Sequence, residues 1–225
     1  MRSFFGRLAI FLVALGSLHA QDAAPAQTAE AKPHPIEVTG LPPRASAAEY
    51  PAHAKVGNIT IGAEFAGHNV PRPEDPLTTD DFVVVEAGVF GPPGTKLMLS
   101  TGDWSLRVNG KKKAPLPSEP FVVVARSLRD PEWVNPEEKK EKENKTSFGT
   151  GGGQTDNAPV IVHIPIELQR SMTQYIEKNQ MPEGDRPLPE AGLLFFQYRG
   201  KTKGIHSLEL IYSGPAGNAT IELQP

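Results

Sequence analysis

The sequence predicts an all-β protein of about eight or nine short strands, and three observations carry that expectation. Apolar residues alternate with polar ones over short runs bounded by Gly and Pro, the period-two pattern of half-buried strands. Proline, at 23 of 225 residues, is too frequent for a mainly helical chain, because an interior proline removes a backbone donor and clashes with the preceding turn. Only one segment places apolar residues at helical spacing. The pattern suits a sandwich or a barrel, and no repeat of roughly 20–50 residues suggests a solenoid or propeller.

The chain opens with an address. Arg2 and Arg7 form a positive start, Leu8 to Leu15 an apolar run, and Ala20 a small residue at a cleavage position, so residues 1–20 read as a signal peptide. The apolar run falls short of the roughly 20 residues that cross a bilayer. The expected location is therefore periplasmic or secreted, with no transmembrane segment once the signal is removed. Residues 21–50 are rich in Ala, Pro and Gln without periodicity, which predicts a disordered tether, and the β domain is assigned to 51–225.

Within that domain Ile59, Ile61, Ala63 and Phe65 alternate with polar neighbours. Residues 81–90 follow, with Val83, Val85, Ala87 and Val89 on one face and Phe82, Val84 and Glu86 on the other. A Gly-Pro-Pro-Gly turn leads to a strand over 96–100. Residues 103–109 then point Trp104, Leu106 and Val108 inward, and Asn109-Gly110 marks a turn, since both residues tolerate positive φ. Phe121–Leu128 and Ala158–Pro165 read as two further strands. Between them lies a flexible insertion, 134–158, in which residues 136–146 hold four Glu and four Lys ahead of a Gly-rich run. Asn135 and Pro136 could open a short helix there. Leu168, Met172, Tyr175 and Ile176 define the one amphipathic helix, 166–179. An extended connector, 181–190, precedes three closing strands over 192–199, 205–212 and 219–224.

Several chemistries are excluded. With no Cys there is no disulfide, thiolate metal site or cysteine nucleophile. The formal charge is −3, and losing Arg2 and Arg7 leaves 21 basic against 26 acidic residues, so no basic footprint invites nucleic acid. No strained serine elbow or S-x-x-K frame is present. The glycines of 149–155 lack the Lys-Ser/Thr pair of a phosphate loop. His34, His53, His68, His163 and His206 show no ligand spacing; His53 and His68 with Asp80 or Asp81 form a conceivable cluster, and solvated loop histidines are the simpler account. Glu74-Asp75 and Asp80-Asp81 lack a calcium loop's spacing. No cofactor, metal or catalytic residue is assigned. Lys111 to Lys113 read as a solubilising spot. Asn58, Asn144 and Asn218 head Asn-x-Thr triplets. Tyr198 and Arg199 close a strand beside Gly200. The single candidate ligand contact is Trp133, in the loop Asp130–Pro136: it can stack on a sugar or anchor a partner, and the favoured reading has it plug the end of the fold.

Two pairs of motifs carry a family resemblance. Residues 80–90 (DDFVVVEAGVF) with 103–110 (DWSLRVNG), and 192–196 (GLLFF) with 208–212 (LELIY), are similar to the immunoglobulin-like β-sandwich domains of unknown function in exported bacterial proteins. Residues 182–189 and 210–217 also resemble uncharacterised secreted proteins of soil bacteria. The resemblance spans about residues 54–224 and implies a two-sheet sandwich with one inserted helix; it brings no catalytic residue and no ligand. The expected function is a non-enzymatic interaction or structural module for a protein or cell-envelope component. The alternatives are a carbohydrate-binding module with Trp133 in an aromatic platform, and a hydrolase whose residues converge only in three dimensions.

Overall fold

The valine-rich run at 82–90 becomes a central strand because both of its faces find apolar partners. In the computed structural model, which describes residues 39–110, 112, 114–133 and 164–225, the strands are β1 Ala52–Val56, β2 Ile59–Gly67, β3 Asn69–Val70, β4 Leu77–Thr79, β5 Phe82–Phe90, β6 Lys96–Leu99, β7 Trp104–Val108, β8 Leu116–Glu119, β9 Leu128–Arg129, β10 Gly184–Pro187, β11 Glu190–Gln197, β12 Leu208–Gly214 and β13 Gly217–Leu223. The helices are α1 Phe121–Val124 and α2 Ile166–Asn179. The expectations for the signal peptide, for residues 21–38, for the insertion 134–158 and for a strand over 158–163 lie outside the described residues.

Eight strands join in the order β1-β2-β5-β11-β8-β7-β12-β13, all neighbours antiparallel. The short strand β8 changes partner midway. Leu116 and Pro117 pair with Leu106 and Ser105 of β7, whereas Ser118 and Glu119 pair with Phe196 and Phe195 of β11. A strand shared between two half-sheets is one way a sheet turns a corner. The fold is all-β as expected, and the sheet curls until β1 lies beside β13, nearly closing a barrel. The seam is tight at one end, where a side chain at Gly57 would meet the Ala216 carbonyl oxygen at 2.8 Å. It gapes at the other, where a cavity of about 270 Å³ separates Ala52 and Phe65 from Leu223 and Pro225.

The inner core gathers Val83, Val85, Ala87 and Val89 with Leu106, Leu194, Phe196 and Leu210, closed by Trp104 against Tyr212 with ring centroids 4.9 Å apart. Trp104 is 1% exposed, as its alternation predicts. The opposite face of β5 and β11 presents Phe82, Val84, Leu193 and Phe195 to an outer core. Met172 and Ile176 of α2, Val124 of α1, and the small sheet β3-β4-β9 cover it. Burial on both faces explains why these strands read as almost continuous apolar runs. α2 occupies the span its spacing predicts. Among the described residues no helix is long and apolar enough to cross a membrane.

Three expectations are corrected. Phe121–Leu128 is not a strand: α1 runs into a 3-10 turn, Ala125–Ser127, and only Leu128 and Arg129 pair, with β4. After Pro120 the chain coils, buries Val124 against α2, and leaves Val122 and Val123 exposed. The connector 181–190 contains β10, which zips against β6. His206 sits in the loop before β12 rather than in a strand.

The assigned tether also ends early. Residues 39–51 form a strap across the outer face of β2, β5 and β11. Leu41 bridges to Ala191, and Tyr50 is 3% exposed. The strap can lie close because Gly62, Gly88 and Ala191 form a cross-strand row of small residues. A Cβ on Gly62 would stand 2.4 Å from the Tyr50 ring, and one on Gly88 2.6 Å from its hydroxyl. Above the ring, the Arg44 guanidinium sits 4.2 Å from its centroid and bonds Glu64 and Glu86.

Candidate functional site

Where the strap passes the end of α2 it leaves an open groove of about 440 Å³, a size that can receive a small ligand or a short peptide segment. Leu41 and Pro42 form one wall, Pro71 and Pro73 the facing wall, Tyr175, Lys178 and Asn179 the helical side, and Glu86 the floor, with Arg72 between the two prolines.

Each wall is fixed by the local sequence. Gly40 donates to the Lys178 carbonyl at 2.7 Å and Leu41 to that of Ala191 at 2.8 Å, so the strap ties helix end to sheet. Gly40 has φ +112, and a Cβ there would lie 2.7 Å from the Ala191 oxygen. Opposite, Pro71 and Pro73 have restricted φ, which stiffens that wall. Tyr175 donates its hydroxyl to the Pro71 carbonyl at 2.7 Å. Burial, more than the neighbouring charges, pushes the Tyr175 hydroxyl above the ordinary tyrosine pKa. Arg72 bonds the Asp75 carbonyl and pairs with Asp130 at 3.2 Å, with side chains only 13% and 9% exposed. Removing one partner of so enclosed a pair would leave a poorly solvated charge, which makes it a firm brace for the wall.

The charges of the groove are largely answered. Glu86 receives Arg44 at 3.1 Å, and Arg72 is paired, which leaves the exposed Lys178 at the rim. The lining contains no histidine and no serine, threonine or cysteine; its one hydroxyl is already donated to Pro71. Rigid apolar walls with a cation at the rim suit recognition, and they assemble no nucleophile with its base.

The residues singled out in sequence do not converge. Trp133 is half-buried, its backbone N–H donating to the Asp130 carbonyl at 3.1 Å, so it hangs from the turn that braces the groove without lining it. His68 is tied by ring nitrogens 2.7 Å from the Phe82 and 2.8 Å from the Gly200 carbonyl oxygens, and stacks on Tyr198. His53 and His206 are exposed. Asp80 pairs with Arg129 and Asp81 with Arg199, surface contacts that contribute little. Among the described residues no group of three or more His, Asp or Glu could hold a metal ion. His34, His163, Asn144, Lys111 and Lys113 lie outside the described residues. No periodic pattern in the sequence marks the groove; its signals there are the Pro-Arg-Pro of 71–73 and the Tyr175/Lys178 pair at i,i+3 on the predicted helix.

No protein-family model, no curated protein and no solved structure matches this chain, so the groove is read from its own chemistry.

Proposed function

We propose that the protein is an exported, non-enzymatic interaction module of immunoglobulin-like kinship that takes a short apolar segment of a protein partner into the groove beside α2. The observation that carries this reading is the groove's preformed, proline-stiffened wall braced by the Arg72–Asp130 pair, because a site ordered before binding loses little entropy on binding. Tyr175 and the prolines give it the aromatic and ring-lined character that accommodates extended chains. The export half rests on Arg2, Arg7 and the apolar run Leu8 to Leu15, and the kinship on the DWSLRVNG motif that becomes β7.

The test is affinity capture from the native host with the mature protein, the groove-filling variant Lys178→Trp and, as control, Trp133→Ala. Loss of the same partner with the filled groove alone supports the reading. Loss with Trp133→Ala alone points to the sugar platform instead, and retention by both variants places the docking surface elsewhere. Fractionation of the native host with N-terminal sequencing tests export: protein confined to the cytoplasm with an unprocessed Met1 start refutes it.

A further inference from the structure

Asn109 and Gly110 are the one Asn-Gly pair in the chain, and the structure gives them a second meaning beyond the turn. Asn-Gly is the dipeptide in which intramolecular deamidation is least hindered, since glycine has no Cβ to shield its nitrogen. The Gly110 nitrogen attacks the side-chain carbonyl carbon of Asn109. A new C–N bond closes a succinimide, ammonia leaves with the old one, and water then opens the ring to aspartate or isoaspartate.

Although Asn109 is exposed, the fold ties its side chain to one loop. Asn109 Nδ2 donates to the Gly204 carbonyl at 2.8 Å, and Oδ1 accepts from the backbone N–H groups of His206 at 2.7 Å and Ser207 at 3.4 Å. Its own N–H donates to the Ser207 carbonyl at 2.9 Å. Asn109 also stands at φ 57, a conformation held by these four bonds to one loop. Turning the amide carbon toward Gly110 requires that the clamp on residues 204–207 be released.

We propose that Asn109 is a modification site guarded by the fold, deamidating through opening of the 204–207 loop and thereafter preventing the loop from locking again. The second half follows from the product. Aspartate keeps two acceptor oxygens for His206 and Ser207 but has no Nδ2 donor, so a carboxylate oxygen faces the Gly204 carbonyl. Isoaspartate adds a main-chain carbon and moves the turn off the end of β7. The modification thus records that a molecule has opened.

The experiment ages the intact protein in mildly alkaline buffer, folded and in concentrated guanidinium, and follows the mass of the proteolytic peptide that carries Asn109. Folded protein should deamidate at least about tenfold more slowly than unfolded, corresponding to a local opening free energy of about 1.4 kcal/mol or more. Modified protein, purified, should show faster amide exchange at His206 and Ser207. Equal rates in the two states would overturn the guarding role. An unreactive Asn109 in guanidinium would overturn the site itself, and unchanged exchange after modification would overturn its effect on the loop.

Discussion

Gly62→Ala tests how the strap is held, because the sign of its effect depends on the Tyr50 ring that lies over this glycine. Neither Gly62 nor Gly88 has positive φ, so in an uncovered strand alanine would be the better residue by roughly 0.5–1 kcal/mol. Under Tyr50 the added methyl carbon would stand 2.4 Å from the ring, about an ångström inside ordinary contact. The ring cannot simply rise: Arg44 lies 4.2 Å above its centre, tied to Glu64 and Glu86, and the Phe90 ring meets it edge-on at 6.0 Å. Overpacking of this kind costs about 1–3 kcal/mol, with a ceiling of about 3–5 kcal/mol if the ring is expelled altogether. In a chain of this size each kcal/mol moves Tm by about 2–4 °C, so differential scanning calorimetry resolves the effect. Tyr50→Ala in the same protein removes the obstacle, so Gly62→Ala should then cost much less, a coupling measured by the double-mutant cycle. A single variant more stable than the parent, or strict additivity in the cycle, would refute the packing described for the strap.

Three other outcomes follow from a buried polar atom and from the core. The Tyr50 hydroxyl is buried without a hydrogen-bond partner, and Tyr50→Phe should leave stability unchanged or raise it by up to about 1 kcal/mol. Burial first, and then the Glu86 carboxylate, push that hydroxyl from 10.0 to about 12, so the folded state holds the proton more tightly than the unfolded. Its contribution is complete below pH 10 and lost as pH climbs towards 12; alkaline unfolding curves of Tyr50→Phe should lack that part of the decline. Trp104→Ala should cost roughly 3–5 kcal/mol in guanidinium unfolding, and an effect near zero would mean that its strand is turned the other way.

What could be read in sequence was what periodicity writes. β2, β5, β7, β11 and α2 each repeat an apolar face over several residues, and each was found within a residue or two of its limits. The errors share a cause: structure decided by a neighbour instead of by local pattern. Phe121–Leu128 carries three consecutive valines and so looks like a strand, yet its place is set by the burial of Val124 beside α2. β8 has no legible pattern, because Pro117 argues against a central strand and its two halves serve different partners. The strap was missed for a complementary reason. Its anchors, Leu41, Ala47 and Tyr50, are aperiodic, and its seat is a row of glycines that weakens the strands when each is read alone. The groove inherits both difficulties, since its walls come from segments about 30, and then about 100, residues apart.

The meeting of β1 with β13 bears on how this protein survives in company. An open sheet ends in a bare row of amide and carbonyl groups on which a stranger's backbone can build, the first step towards fibrils. Here the two rims that would offer such a template face each other across a gap too narrow for an intruding strand at its tight end. Along this seam, crowded copies find little on which to build.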